Sequence, residues 1–232
     1  VRSLLTSMAF SHKGSKYVSR GFVRPVCSEI QVFGYSMFLW RDDTVELLPG
    51  VTGNKARKFH GLIRQISHRK QKRKQQRSET SFVSYGGVQS NSMAALSAIA
   101  EFEGLHFTYF TKPLPKWLRQ RPVGCLREAL DRGMKLVELS PESYYQLAAL
   151  GESGGDVRAL RTWAAANSNE NLFSPMAESA CTSTASIIDA TTSSHCTIWI
   201  PQGGGGAFSL ASEGLTTLAH EFFQFVLEQE CK

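Results

Sequence analysis

Between Phe82 and Phe110 the sequence changes its hydrophobic period twice, and this constrains the fold more than any other stretch. Phe82-Val83-Ser84-Tyr85 reads as a short strand, and Gly86-Gly87 as a turn. Ser90-Asn91 opens a helix whose apolar residues recur at helical spacing from Met93 to Phe102. Gly104 stops it, and His106-Phe107-Thr108-Tyr109-Phe110 is a second strand. Strand, helix and strand in this order predict a βαβ unit, with parallel strands and a right-handed crossover. An α/β class follows if the rest of the chain alternates in the same way.

It does. Ile30 and Val32, then Met37-Phe38-Leu39-Trp40, predict a hairpin turning at Gly34. A loop runs through Pro49 and Gly50. From Asn54 to Ile66 the positions Ala56, Phe59, Leu62, Ile63 and Ile66 fall at helical spacing. Lys112–Pro115 is a loop, Val123–Arg132 a helix ended by Gly133, and Met134–Leu139 a strand. Tyr144–Leu150 and Val157–Ala166 are predicted helices separated by Gly151–Gly155, and the Ser, Thr and Ala of residues 179–194 predict a loose loop or weak helix. His195–Ile200 is a strand, Pro201–Gly206 a glycine-rich loop, and Glu213–Glu228 a long helix.

The charge is local. The chain of 232 residues carries a net charge of +6, but residues 1–28 and 64–78 hold 12 of its 26 basic residues and no acid. Outside them the acidic residues are in excess, so the body is mildly acidic. His68–Arg77 has no apolar residue and reads as a solvated insertion. Nucleic-acid binding through it is the sharper alternative, and the lack of aromatic residues for stacking argues against that. Residues 1–23 are basic and Ser-containing without a continuous apolar core. They fit an organellar transit segment (mitochondrion or plastid) or a disordered leader rather than a secretory signal. An intracellular location, cytoplasmic or organellar, is the expectation. The five cysteines form no C-x-x-C pair, which points to reduced thiols. No apolar run reaches membrane-spanning length.

Several motifs fail on context. Gly151-Glu152-Ser153-Gly154-Gly155 matches the hydrolase elbow, but a predicted helix precedes it where a strand is required. His220-Glu221-Phe222-Phe223-Gln224 starts like a zincin helix and has Gln224 in place of the second histidine, so it reads as a helix face. Gly203–Gly206 completes neither dinucleotide nor Walker pattern. By contrast, Gln89-Ser90-Asn91 at a helix start after a glycine turn suits a carboxylate or phosphate, because unpaired N–H groups and the helix dipole converge there. Ser90 also suits a plain N-cap.

Arg41-Asp42-Asp43, Gly53-Asn54-Lys55-Ala56-Arg57-Lys58 and Tyr85-Gly86-Gly87-Val88-Gln89-Ser90-Asn91 together resemble the pyridoxal-phosphate enzymes of the 1-aminocyclopropane-1-carboxylate deaminase and D-cysteine desulfhydrase family. Gly124-Cys125-Leu126, Ile200-Pro201-Gln202-Gly203-Gly204 and Glu213-Gly214 extend the resemblance over about residues 24–230. It implies a tryptophan-synthase-β-like fold: parallel sheets with flanking helices, and a large domain interrupted by a small one. Residues 24–60 and 196–232 would belong to the large pyridoxal-phosphate domain, and 61–195 to the small α/β domain with the basic insertion 64–78.

By the same resemblance Lys55 is the lysine that holds the cofactor as a Schiff base and shuttles a proton, with Asn54 beside it. Lys58 would pair with the cofactor phosphate and Asn91 with its ring oxygen. Gln89, Ser90 and Asn91 would bind the substrate carboxylate, Ser90 also moving a proton. The implied activity releases ammonia and an α-keto acid from a small amino acid, in a homodimer. Ser92 stands where the family commonly has His or Gln, and Cys125 where it has Asn. The family's later phosphate loop and substrate-selecting tyrosines have no counterpart before Lys232. A C-terminally truncated, catalytically incomplete member, acting at most as a binding or assembly partner, is therefore the alternative.

Overall fold

The computed structural model describes residues 25–72, 79–152, 163, 195–204 and 209–230. The leader, Val157–Ala166 apart from Trp163, and residues 179–194 lie outside the described residues, as does the elbow serine Ser153.

The chain opens with an antiparallel hairpin, β1 (Val26–Val32) and β2 (Tyr35–Arg41), with Val32 opposite Tyr35. Phe33 and Gly34 form its two-residue turn at φ 49° and 83°. Positive φ at both positions matches the right-handed twist of the strands, which is why Gly34 is there. A short 3-10 turn (Asp42–Thr44) leads to a small ladder, β3 (Glu46–Leu48) and β4 (Val51–Thr52), where a plain loop was predicted around Pro49-Gly50.

Helix α1 spans Gly53–Lys72 and so runs past Ile66 into the basic run. His68–Lys72, the first part of the basic run, is therefore helical. No Gly or Pro interrupts it, lysine and arginine are good helix formers, and cations suit a helix C-terminus. Residues 60 and 61, the expected domain boundary, both lie inside α1.

Next come β5 (Glu79–Tyr85), α2 (Asn91–Glu103), β6 (His106–Thr111), α3 (Lys116–Gln120), α4 (Gly124–Asp131), β7 (Lys135–Glu138) and α5 (Pro141–Glu152). After the undescribed segment follow β8 (His195–Ile200), a 3-10 turn (Gln202–Gly204) and α6 (Ser209–Glu230). The four predicted strands form one parallel sheet in the order β7-β6-β5-β8. The βαβ unit is present as read, and the protein is α/β with helices flanking a parallel sheet.

Strand alternation sorts the core into two layers. Phe82, Phe107, Tyr109, Ile198 and Ile200 face one side and pack with Phe59 and Leu62 of α1, Met93 and Leu96 of α2, Leu126 of α4 and Ala211 of α6. Val83, Tyr85, Phe110 and Trp199 face the other and meet Tyr144 and Leu147 of α5 and Trp163. The crossover rule explains the division. The steps from β5 to β6 and β6 to β7 run one way across the sheet with α2 and α4 on one face, whereas the return toward β8 begins with α5 on the opposite face. α2 is buried from Ser92 to Ala100 and packs closely through Ala94, Ala95, Ala98 and Ala100. Outside the sheet, Phe38 and Trp40 of the hairpin meet Phe222 and Phe225 of α6 edge to face at centroid distances of 5.3 to 5.9 Å. Among the described residues, no helix is long and apolar enough to cross a membrane.

Candidate functional site

Three chain segments meet at the carboxyl ends of β5 and β8: the start of α1, the β5–α2 turn and the turn after β8. The sheet order reverses between these two strands, and a crevice at such a switch point is where open α/β sheets bind ligands.

Lys55 occupies the first turn of α1. It is partly buried, and its Nζ donates to the Gly203 carbonyl at 3.2 Å. Burial first, and the charge of Lys58 second, hold this amine below the ordinary lysine value of 10.5. The effect favours the neutral amine that an aldehyde requires. Lys58 lies three residues on, on the same helix face, and is partly buried; Asn54 is exposed.

The β5–α2 turn is fixed from below. Gly86 sits at φ 147°, and a Cβ there would lie 2.6 Å from Tyr109 Oη and 3.3 Å from Gln202 Cγ. Only glycine lets the turns after β5 and β8 approach this closely. Tyr109 donates its hydroxyl to the Gly87 carbonyl at 3.2 Å. Burial pushes its phenol above the ordinary value, with a hydrogen bond to Ser90 working the other way.

Ser90 caps α2, its hydroxyl accepting from the Ser92 amide at 3.2 Å. The bland and the functional readings of Ser90 thus share one geometry, since a cap hydroxyl stands beside the open N–H groups of the first turn. Asn91 is exposed, and its Oδ1 accepts from the Cys125 thiol at 3.4 Å. Cys125 therefore touches the predicted site. Ser92 is 4% exposed and its hydroxyl has no hydrogen-bond partner.

Gln89 is engaged elsewhere. Its Nε2 donates to the Val123 carbonyl at 3.1 Å and its Oε1 accepts from the Cys125 amide at 3.2 Å. Between them Gly124, at φ 59°, leaves room that a Cβ would lack, since it would stand 2.5 Å from Oε1. The side chain ties the start of α4 to the start of α2, so the two helix N-termini lie side by side.

Pyridoxal phosphate requires a neutral amine, donors for its anionic groups and close access for a flat ring. Lys55 on the Gly203 carbonyl and the α2 N-terminus fit the first two demands. Lys55, Lys58, Ser90 and Asn91 lie on the segments that converge here. Sequence reasoning missed Tyr109 and the Gly203 carbonyl, because their contact with the site depends on strand register; inward alternation along β6 was the available signal for Tyr109. Among the described residues, no cluster of His, Cys, Asp and Glu could hold a metal ion. In comparison with known proteins, no family model and no curated sequence matches the chain.

Proposed function

We propose that the chain acts with pyridoxal 5'-phosphate on a small amino acid, releasing ammonia and an α-keto acid, by deamination with ring opening or by β-elimination of sulfide. The tryptophan-synthase-β-like arrangement is part of the same proposal. The observation that carries it is the Lys55 amine, held on the Gly203 carbonyl beside the carboxyl ends of β5 and β8 and kept neutral more readily than an ordinary lysine.

In this reading Lys55 holds the cofactor and moves a proton to or from the substrate. Lys58 contributes charge to the cofactor phosphate, and Asn91 orients its ring oxygen, with Asn54 at the rim. Ser90 and the N–H groups of the first α2 turn bind the substrate carboxylate. The cofactor, when bound, supplies the electron sink for negative charge at the substrate α-carbon. Gln89 serves the carboxylate through the α2 and α4 backbones that its amide joins. A visible absorption band on mixing purified protein with cofactor, abolished in Lys55→Ala, is the expected result. Keto-acid release from 1-aminocyclopropane-1-carboxylate against D-cysteine then separates the two reactions.

A second reading, a catalytically incomplete member that serves as a binding or assembly partner, draws on the exposed apolar side chains of the hairpin and α6. Phe33 is 97% exposed and Phe223 70%. Absence of any band in the wild-type chain would favour this reading, and sedimentation would read out self-association, including the homodimer.

A further inference from the structure

Arg57 takes no part in the site above, yet its residue is 0% exposed. Its Nε and Nη2 donate to Asp42 Oδ1 at 3.0 and 2.9 Å, and its Nη1 and Nη2 donate to Glu221 Oε1 and Oε2 at 3.2 and 2.6 Å. One buried guanidinium thus joins the 3-10 turn, α1 and α6. Two sequence motifs that the site leaves unused meet here: Asp42 of Arg41-Asp42-Asp43, and Glu221 of the incomplete zincin pattern. A buried ion pair adds little net stability over apolar packing, but breaking one side of it is costly, so its effect is to enforce one arrangement.

That arrangement concerns the first turns of α1. At about 100° per residue, Arg57 points roughly 200° away from Lys55, so it grips the back of the segment whose front carries Lys55 and Lys58. The α6 backbone closes on the same place, with Gly214 against the Arg57 peptide. We propose that Arg57, clamped by Asp42 and Glu221, is a positioning residue for Lys55: it fixes the rotation of α1 and holds the Lys55 amine at the Gly203 carbonyl. The functional meaning of this rests on the reading of Lys55 as the cofactor lysine, while the positioning itself does not.

The test uses the full chain without cofactor. An amine-selective N-hydroxysuccinimide ester is applied across a pH series, and labelling of Lys55 is compared by peptide mass spectrometry with that of exposed Lys116. In the wild type the Lys55 midpoint lies below the ordinary lysine value of 10.5. In Arg57→Lys and Glu221→Gln the Lys55 midpoint rises by about half a pH unit or more, as the amine leaves the partly buried place between Lys58 and Gly203. Leu147→Ala, which opens a cavity on the opposite face of the sheet, lowers the melting temperature and leaves the Lys55 midpoint where it was. A Lys55 midpoint that stays put or falls in the Arg57 and Glu221 variants, or moves equally in Leu147→Ala, overturns the proposal and reduces the triad to a stability tie. If Arg57→Lys does not fold, Glu221→Gln and Asp42→Asn carry the test with near-isosteric changes. A wild type that forms no visible band with cofactor, while the Lys55 midpoint shifts as stated in the Arg57 and Glu221 variants, sinks the cofactor reading and leaves the positioning intact.

Discussion

Replacing Gly214 with alanine tests whether α1 and α6 meet backbone to backbone. A Cβ at Gly214 would overlap the Arg57 carbonyl oxygen and stand 2.7 Å from its carbon and 3.1 Å from its Cα. Carbon atoms rest about 3.5 to 4.0 Å apart, so the helices must separate by about 1 Å. No rotamer change relieves the contact, because the obstructing atoms are backbone. Two terms then oppose each other. Alanine is better than glycine inside a helix by about 1 kcal/mol. Overpacking costs about 1–3 kcal/mol, and the immobile partner places this site at the upper end. Moving α6 away also stretches the Glu221 to Arg57 hydrogen bonds, and bonds to charged groups are worth about 1.5–3 kcal/mol each. The net expectation is a loss of about 1–3 kcal/mol. At about 2–4 °C per kcal/mol for a chain of this size, the melting temperature falls by about 2–12 °C. Thermal melting followed by circular dichroism, with urea unfolding alongside, measures both quantities. A melting temperature equal to or above that of the wild type would refute the close approach and show that helix propensity dominates.

Other perturbations probe other parts. Leu147, fully buried against the second face of the sheet, should cost about 2–5 kcal/mol as alanine in urea unfolding, and a loss below about 1 kcal/mol would contradict its packing. Cofactor uptake by the wild type should rise with pH as Lys55 loses its proton, with a midpoint below the ordinary lysine value of 10.5. In Lys58→Ala a like charge is gone, so the Lys55 pKa rises and the uptake midpoint moves to higher pH; an unmoved midpoint would remove Lys58 from the site's electrostatics. Gln89→Ala breaks the tie between the α2 and α4 starts and should cost about 1–3 kcal/mol in thermal or urea unfolding. Its effect on KM should be smaller than that of Ser90→Ala, and the reverse order would return Gln89 to direct substrate contact.

Much of the architecture was legible in local pattern. The strand at Phe82–Tyr85, the helix from Met93, the stop at Gly104 and the strand at His106–Phe110 all follow from short-range spacing and from residues with special backbone freedom. Gly104 ends α2 at φ 63°, with the Gly104 and Leu105 amides closing onto the carbonyls of the last turn. The hairpin was equally visible, since a glycine between two apolar alternating runs has few other uses. The end of α1 was not. Apolar spacing ceases at Ile66, and a polar helical extension leaves no periodic apolar mark in the sequence.

The candidate site divides along the same line. Ser90 was nameable from type and position, because a serine before a helix carries its chemistry locally, whereas Lys55 and Asn91 were named through the resemblance of their motifs. The destination of the Gln89 amide, the Cys125 thiol on Asn91, the Tyr109 hydroxyl on Gly87 and the Lys55 amine on Gly203 were not. Each joins residues far apart in the chain, and whether they meet depends on strand register and helix rotation.

The sequence by itself determined the four core strands and the helices between them, that these belong to an α/β alternation, and where two helix N-termini with suitable polar groups would lie. Hydrophobic period and backbone freedom are properties of neighbours in the chain, so they can be read there. Tertiary structure alone decided the order β7-β6-β5-β8, the reversal that places the turns after β5 and β8 side by side, and the burial of Arg57 between Asp42 and Glu221. Those outcomes come from close packing of whole elements, in which a glycine such as Gly214 or Gly86 sets the distance at which two backbones stop. No short window of sequence contains both sides of such a contact.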